Sequence, residues 1–176
     1  NDKDKTYFKP KWKNQTSLSD AVVKWFKSRG IDQQVLIDCK VTEGKEWMPQ
    51  TGKDENCIHF NYFKNDQLIN VKYRDGKKNF RQVKDAEKIV YGWNDAIGVD
   101  TLIWVEGEMD KLSFYQAGYK NVWSVPDGAP AVSSECCSKP VIYKPNDTGH
   151  FCRECGKSCK TKQPNYASKF DFMDNS

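Results

Sequence analysis

The feature that most constrains this chain is a strand–helix–strand pattern between residues 101 and 125. An unbroken apolar run at 101–105 (TLIWV) precedes a short helical segment, and a second apolar run follows at 121–125 (NVWSV). Unbroken runs of this kind are typical of strands buried on both faces of a parallel sheet. Parallel neighbours need a crossover connection, so we expect a helix from about Asp110 to Ala117. The pattern therefore predicts a βαβ unit.

The residues before this unit predict a mostly antiparallel α+β region. Ser17 or Ser19 can cap a helix that Gly30 ends, and a second short helix (DQQVLIDC) follows. Aromatic and β-branched runs then flank a polar turn at Asn65 and Asp66, which indicates a β-hairpin. A further run, KKNFRQVK, is expected to add a strand to the same sheet.

Three carboxylates lie close together where the first strand of the βαβ unit ends. Glu106, Glu108 and Asp110 fall within five positions, and Gly107 leaves room for the turn into the helix. In open α/β sheets ligands bind beyond the carboxyl ends of the strands, and Mg²⁺ prefers oxygen ligands. The cluster therefore predicts a magnesium site made by all three carboxylates. The alternative is that Asp110 caps the helix while both glutamates are solvated.

A basic segment at 71–88 accounts for the net charge of the chain. It holds seven Lys/Arg and three Asp/Glu, an excess of four, and the whole chain carries a formal net charge of +4. Lys72 and Arg74 alternate along a predicted strand, so both should face one side, where cations can hold phosphates and aromatic rings can stack on bases. A solvated strand face is the alternative. The predicted nucleic-acid-binding residues are Lys72, Arg74, Lys77, Lys78 and Arg81.

The cysteines indicate a metal site in a reducing compartment. Of seven cysteines, five lie between Cys136 and Cys159, and an odd, clustered number argues against a secreted disulfide framework. The sequence CRECGK predicts a zinc knuckle, and zinc needs four ligands. Free surface thiols are the alternative. The predicted ligands are Cys137, Cys152, Cys155 and Cys159, with Cys136 or His150 as alternatives to Cys137.

The chain shows no sign of a membrane or secretory segment. No apolar run reaches the length of about 18 residues that a spanning helix needs. The first residues, NDKDK, do not form a secretory signal. We therefore expect an intracellular protein without a membrane partner.

Two motifs in the βαβ region carry a resemblance to a known family. The sequence VEGEMD followed by SVPDGAP resembles the first half of a Toprim domain, the metal-binding fold shared by primases and topoisomerases. The match is closer to the primase part of bacteriophage primase-helicases and Twinkle-type organellar proteins. Their basic segment before Toprim is similar to VKYRDGKKNF and EKIVYGWNDA. The resemblance covers roughly residues 55–130, with a weaker helical match at 17–40.

The resemblance implies roles for four residues. Glu106 corresponds to a catalytic glutamate that binds metal or acts as general base, and Asp110 corresponds to the acidic residue of Glu-Gly-x-x-Asp. Asp127 and Gly128 match the turn after the second strand, and we expect them at the nucleotide site. The family reaction joins ribonucleotides on a single-stranded DNA template with Mg²⁺ or Mn²⁺.

The resemblance also implies partners and a compartment. The expected partners are single-stranded DNA, ribonucleoside triphosphates and a helicase module in the same full-length protein. The expected location is the cytoplasm of a phage-infected bacterium, or a mitochondrion or plastid.

Two departures from the family pattern leave other functions open. No Asp-x-Asp motif follows Gly128, and KFDFMDN looks like the helix before the missing strand, so we expect a chain that stops inside the Toprim domain and is inactive as a primase. No Gly-x-x-x-x-Gly-Lys-Ser/Thr motif is present, so this chain carries no helicase ATP site. The alternatives are a non-catalytic single-stranded nucleic-acid-binding module and another Toprim enzyme, such as a nuclease. The primase-like upstream segment counts against the nuclease.

Together these patterns predict an α/β chain in three parts. A linker at 1–16 precedes a primase N-terminal α+β region at 17–98. Residues 99–176 are expected to form a partial, Rossmann-like Toprim βαβ unit, with a zinc-knuckle insertion at 133–166. No internal repeat is evident in the sequence.

Overall fold

The structure is a computed structural model that describes residues 6–11, 18–128, 133–143 and 149–162. The chain forms two compact units, Asn1–Pro126 and Asp127–Ser176. Within the described ranges, no helix is long and apolar enough to cross a membrane. Three expectations lie outside the described residues in whole or in part: the Ser17 cap, most of the predicted linker and the KFDFMDN segment.

Two short helices open the first unit. Helix α1 spans Asp20–Lys27 and helix α2 spans Gln33–Asp38. Ser19 caps α1, because its hydroxyl accepts a hydrogen bond from the Val22 N–H at 3.4 Å. Gly30 adopts a left-handed φ of +75° just beyond the helix, as expected for a residue that ends it. Both predicted helices are confirmed, with Ser19 as a cap.

A four-stranded antiparallel sheet forms the body of this unit, with strand order β1-β2-β3-β4. Asn65 and Asp66 join β2 to β3 with φ of +49° and +63°, the geometry of a type I′ turn. The predicted hairpin and its added strand are confirmed, and β1 was not predicted. The strands are β1 (Thr42–Met48), β2 (Lys53–Lys64), β3 (Gln67–Asp75) and β4 (Phe80–Gln82).

The predicted βαβ unit is confirmed, with a parallel pair of strands. Strand β5 (Ile103–Val105) and strand β6 (Val122–Ser124) flank helix α3 (Glu108–Gln116). The expectation that both strands are buried on both faces is wrong for β5. Trp104 is 40% exposed, because its ring meets the ring of Trp123 edge-on and leaves its other side in solvent.

One hydrophobic core serves both the antiparallel sheet and the βαβ unit. It contains side chains from α1, α2, β2, β3 and α3, so the predicted boundary at residue 98 falls inside a single compact unit. The functions predicted for the regions on either side of this boundary stay predictions. The buried residues of this core are Phe26, Ile31, Val35, Leu36, Val41, Ile58, Phe60, Tyr62, Ile69, Ile89, Tyr91 and Leu112.

The second unit contains short antiparallel strand pairs and covers the predicted zinc-knuckle insertion. Strand β7 (Ser133–Ser134) pairs with β10 (Thr161–Lys162), and β8 (Val141–Tyr143) pairs with β9 (His150–Cys152). Strands this short bury little surface by themselves. Their arrangement must therefore be held by something other than the sheets.

Candidate functional site

The three clustered carboxylates do not share one environment. Glu106 directly follows β5 and is exposed, and Asp110 is exposed in the first turn of α3. Glu108, the first residue of α3, is only 4% exposed. The cluster predicted as one magnesium site therefore divides into an exposed pair and a buried third carboxylate.

Glu108 is held inside the unit by two partners. Lys72 Nζ lies 2.8 Å from Glu108 Oε1, and the hydroxyl of Tyr62 donates a hydrogen bond to the same oxygen. Both charged side chains are buried, with 12% exposure for Lys72 and 5% for Glu108. A buried carboxylate is stable only with such partners. A lysine of β3 therefore compensates the charge of Glu108, and the predicted role of Glu108 in a magnesium site stays a prediction.

Lys72 also ties the antiparallel sheet to the βαβ unit. Its Nζ donates to the carbonyl oxygen of Pro126 at 3.0 Å, and Gln82 Nε2 donates to the same oxygen at 3.0 Å. Through Glu108 and Pro126, strand β3 contacts the start of α3 and the residues just past β6. Lys72 was predicted to bind phosphate, but its ammonium group is engaged inside the fold.

An ion pair between buried Lys111 and the more exposed Asp95 also holds α3. Lys111 is 1% exposed, and its Nζ lies 2.6 Å from Asp95 Oδ2. Gly92 lies against this lysine with φ +83°, and a Cβ there would also approach the Val122 carbonyl oxygen to 2.9 Å. With one ion pair from Glu108 and one from Lys111, α3 has little freedom to rotate. The turn that carries Glu106 is therefore held in a defined position.

Asp110 caps the helix that it belongs to. Its Oδ2 accepts a hydrogen bond from the Gly107 N–H at 3.2 Å, which satisfies a backbone donor at the start of α3. The sequence offered this capping role as an alternative, together with two solvated glutamates. The structure shows the cap by Asp110 and the exposure of Glu106, whereas Glu108 is not solvated; neither the cap nor the exposure excludes metal binding by Glu106 and Asp110, which stays a prediction.

Arg74 lies beside a second arginine on one aromatic ring. Its Cζ is 4.7 Å from the centroid of the Trp25 ring, and the Cζ of Arg29 is 4.4 Å from the same centroid. Burial and the nearby charge of Arg29 lower the pKa of Arg74. Two like charges held this close form a site where an anion would be stabilised.

Phe80 extends this surface. It is 40% exposed and lies opposite Arg74 in the sheet register, with its ring centroid 6.0 Å from the Arg74 Cζ. We call Trp25, Arg29, Arg74 and Phe80 the basic aromatic face. Neither Trp25 nor Arg29 was predicted to bind nucleic acid. Their spacing of four residues, with Trp25 on α1 and Arg29 in the turn just after it, was the available signal, since residues four apart are neighbours on a helix surface.

Lys77 and Lys78 lie exposed in the turn between β3 and β4. Buried Asp75 orders this turn by accepting hydrogen bonds from the N–H groups of Lys77, at 2.9 Å, and Asn79, at 2.8 Å. Burial acts to raise the pKa of Asp75, but these hydrogen bonds outweigh it and lower the pKa. The two lysines are thus presented next to Phe80 on an ordered turn.

Arg81 lies on the other face of the sheet. It pairs in register with Tyr73, its Cζ is 4.3 Å from the Tyr73 ring centroid, and its Nη2 donates to Glu46 Oε2 at 3.2 Å. Successive residues of a strand point to opposite faces, so Arg81 is separated from Arg74 and Phe80. The five predicted basic residues therefore do not form one surface.

Two further predicted residues open the second unit. Asp127 is exposed, and Gly128 adopts φ +67°, a left-handed conformation that favours glycine. This conformation agrees with a turn after β6. Their contribution to a nucleotide site stays a prediction.

The cysteines of the second unit gather into one cluster. The Sγ atoms of four of them all lie within 4.8 Å of one another, so the cluster could hold a structural zinc ion. The N–H of Cys155 and the hydroxyl of Ser134 donate to Cys152 and lower the pKa of this thiol to about 6. The clustered residues are Cys136, Cys137, Cys152 and Cys155.

This set differs from the predicted ligands at one position. Cys136, and not Cys159, completes the cluster with the other three. The N–H of Cys159 donates to the carbonyl oxygen of His150 at 2.9 Å, which pairs its backbone with the start of β9, two residues before Cys152. Cys39 and Cys57 lie in the first unit, where burial raises the pKa of both thiols, as expected of ordinary buried cysteines.

Two curated proteins of Arabidopsis thaliana are similar to this chain. Each is 37% identical over 131 residues, which is 74% of the chain. One is the Twinkle homolog protein, chloroplastic/mitochondrial, and the other is the primase homolog protein. This similarity supports a primase-helicase-type primase region. No family model and no solved structure matches the chain.

The chain spans only part of these relatives. It covers 17% of the Twinkle homolog and 36% of the primase homolog. The similarity thus supports a primase-related function at the level of the family. The activity, substrates and partners of a whole protein are proposals.

Proposed function

We propose that this chain is part of a DNA primase, the primase region of a primase-helicase that synthesises RNA primers on single-stranded DNA. The observation that carries the proposal is the exposed Glu106 at the carboxyl end of β5, on a chain similar to a primase homolog. Ligands of open α/β sheets bind at such strand ends. The Toprim identity of this βαβ unit is part of the proposal.

Glu106 and Asp110 are the proposed ligands of Mg²⁺ or Mn²⁺. Both are exposed oxygen donors on one turn, and that turn is fixed by the buried contacts of Glu108 and Lys111. Two carboxylates suit Mg²⁺, which keeps several waters and shares its coordination with substrate phosphates. The ion would supply charge stabilisation for the transferring phosphoryl group. We also propose that Glu106 accepts a proton from an attacking hydroxyl.

The basic aromatic face is the proposed surface for the DNA template. Arg29 and Arg74 offer charge for a phosphate, and the exposed ring of Phe80 offers a stacking surface for a base. Lys77 and Lys78 extend the positive charge along the neighbouring turn. Asp127 and Gly128 are proposed to contact the incoming ribonucleotide.

The relatives favour one of the predicted compartments. The name of the Twinkle homolog places that protein in chloroplasts and mitochondria. We therefore propose that this chain acts in an organelle, with a helicase module as partner in the same protein. A phage origin has no comparable support.

A non-catalytic single-stranded nucleic-acid-binding module is the second candidate. It is favoured by the basic aromatic face, which can hold a phosphate and stack a base without a catalytic metal. In that case the basic aromatic face would still bind DNA, and Glu106 would have no catalytic role. A nuclease is a third possibility that no contact favours over the other two.

Incorporation of labelled ribonucleotide on single-stranded DNA with Mg²⁺ or Mn²⁺ separates these candidates. The full-length natural protein that contains this chain should make primers, whereas the 176 residues alone should bind DNA without synthesis. Glu106→Gln in the full-length protein should abolish synthesis and leave DNA binding unchanged. Asp54→Asn removes one exposed carboxylate elsewhere on the sheet and is the matched control. No synthesis by the wild-type full-length protein would favour the non-catalytic module, and full synthesis by the Glu106→Gln variant would exclude Glu106 from catalysis.

A further inference from the structure

Two turns in the second unit repeat one backbone pattern. In the first, the Ser138 N–H donates to the Ser134 carbonyl oxygen at 3.0 Å, and Ser138 has φ +51°. In the second, the Gly156 N–H donates to the Cys152 carbonyl oxygen at 2.9 Å, and Gly156 has φ +69°. Each turn thus closes over the same number of residues and ends in the same left-handed conformation.

The match extends one step further along each turn. The Ser134 N–H donates to the carbonyl oxygen of Lys139 at 2.8 Å, and the Cys152 N–H donates to the carbonyl oxygen of Lys157 at 2.9 Å. No repeat is evident in the sequence, because few side chains agree between the two turns. The backbone nevertheless forms the same hydrogen-bonded turn twice.

The repeat places Cys137 and Cys155 at equivalent positions. Each directly precedes the left-handed residue of its turn. The position equivalent to Cys152 is occupied by Ser134, whose hydroxyl donates to Cys152 Sγ at 3.2 Å. The first turn therefore has no thiol at the position where the second turn has Cys152. Cys136, which lies in the same first turn, supplies the fourth thiol of the cluster, and its Sγ is 3.7 Å from the Sγ of Cys155.

We propose that Cys136, Cys137, Cys152 and Cys155 bind one structural zinc ion as four thiolates. Four Zn–S bonds of about 2.3 Å in a tetrahedron place the sulfur atoms about 3.8 Å apart. The Sγ atoms, all within 4.8 Å of one another, need only a small contraction to reach that spacing. Each thiol releases its proton to solvent as its sulfur binds the ion, and no redox step occurs.

The composition of the unit supports a structural role for the ion. Among its described residues only Ser134 and Cys152 are buried, so no apolar core holds the short strands together. Small units of this kind are usually stabilised by a metal or by disulfides. All of the cysteines are free. A metal is then the remaining means of holding the two turns together.

The charge around the cluster also fits a tetrathiolate site. Zinc with four thiolates carries a net charge of −2, and five exposed basic residues outnumber the three acidic residues, Asp127, Glu135 and Glu154, in the described part of this unit. The positive side chains would offset the charge of the complex. The basic residues are Lys139, Arg153, Lys157, Lys160 and Lys162.

Metal analysis of the 176-residue chain, purified without chelator, tests the proposal. We expect about one equivalent of zinc. Cys136→Ser should remove most of it, and Cys159→Ser should retain it. Far-UV circular dichroism verifies in each variant that the first unit is folded. Zinc loss in Cys159→Ser, or retention in Cys136→Ser, would overturn the assigned ligand set.

Two further measurements address the site without removing a ligand. Cobalt substitution should give the intense sulfur-to-metal charge-transfer absorption of four thiolate ligands. Ser134→Ala should weaken zinc binding by about tenfold in competition with a chelator, since it removes a hydrogen bond to a ligand sulfur. A chain that stays metal-free after incubation with zinc, with the five thiols of the second unit titratable, would refute the site.

Discussion

Lys72 and Glu108 form a buried pair whose disruption should destabilise the first unit. Lys72→Met leaves the carboxylate of Glu108 buried without its cation, and we expect a loss of about 3–5 kcal/mol in the free energy of unfolding. Urea denaturation followed by tryptophan fluorescence measures this loss. Lys84→Met removes an exposed lysine and should change stability by no more than about 0.5 kcal/mol.

Adding Glu108→Gln to Lys72→Met should restore part of the lost stability. The amide carries no charge, and its oxygen can still accept the hydrogen bond from Tyr62. If the double variant is as unstable as the sum of the two single variants, the pair is not coupled as described.

His59 should make stability depend on pH in the weakly acidic range. Burial lowers the pKa of His59 from 6.5 to about 4 in the folded chain. Between these values the unfolded chain binds one more proton, so stability falls as the pH decreases from about 6.5 toward 4. The slope is at most about 1.4 kcal/mol per pH unit. Above pH 6.5 the contribution is complete.

Urea titrations of the wild type and of His59→Gln, between pH 4.5 and 7, test this dependence. The carboxylates titrate in both proteins, so the difference between the two slopes isolates the histidine. We expect the variant to show the shallower slope. Equal slopes would mean that His59 titrates alike in the folded and unfolded chains.

At the scale of elements, the turn residues and the apolar runs of the βαβ unit were the parts of the sequence that best predicted the fold. The β2–β3 hairpin and the parallel β5–α3–β6 arrangement were predictable, because positive-φ turn residues and unbroken apolar runs permit few alternatives. Strand β1 was not predicted, since its sequence TEGKEWM places charged and polar residues on both faces. Only its first and last residues are buried, so no alternation marks it.

The two faces of the β3–β4 sheet give a direct test of template binding. Arg29→Gln and Arg74→Gln remove charge from the basic aromatic face, and each should weaken single-stranded DNA binding for all sequences alike. The slope of log K against log salt should become shallower by about 0.7 for each phosphate that the variant no longer neutralises. Fluorescence anisotropy of a labelled oligonucleotide at several salt concentrations measures both quantities.

Arg81→Gln is the matched control, because Arg81 lies on the opposite face of the same sheet. It should leave DNA affinity and its salt dependence close to those of the wild type. A loss of affinity as large as that caused by Arg74→Gln would place the binding surface on the Tyr73 side.

At the scale of the whole chain, the closeness of three carboxylates in the sequence predicted only part of their arrangement in the fold. Glu106, Glu108 and Asp110 are adjacent in the sequence, but the partner that draws Glu108 inward, Lys72, is 36 residues away. A long-range ion pair of this kind leaves no local pattern. The cysteine cluster was predictable in part from its Cys-x-x-Cys motif, whereas the place of Cys136 in it depends on a backbone repeat that is not evident in the sequence.

The shared core predicts how the first unit should respond to truncation. A chain of residues 1–98 would keep the antiparallel sheet but lose α3 and β6, so Leu112 would leave the core and Lys72 and Tyr62 would lose Glu108. We expect this fragment to lack a cooperative urea transition. A chain of residues 1–126 keeps every one of these interactions, including the Pro126 carbonyl, and should unfold cooperatively. Circular dichroism and tryptophan fluorescence, measured on both fragments, should give coincident transitions for the longer one alone. A sharp transition in the 1–98 fragment, at the same urea concentration as in 1–126, would show that the antiparallel region is an independent domain and that the shared core contributes little to its stability.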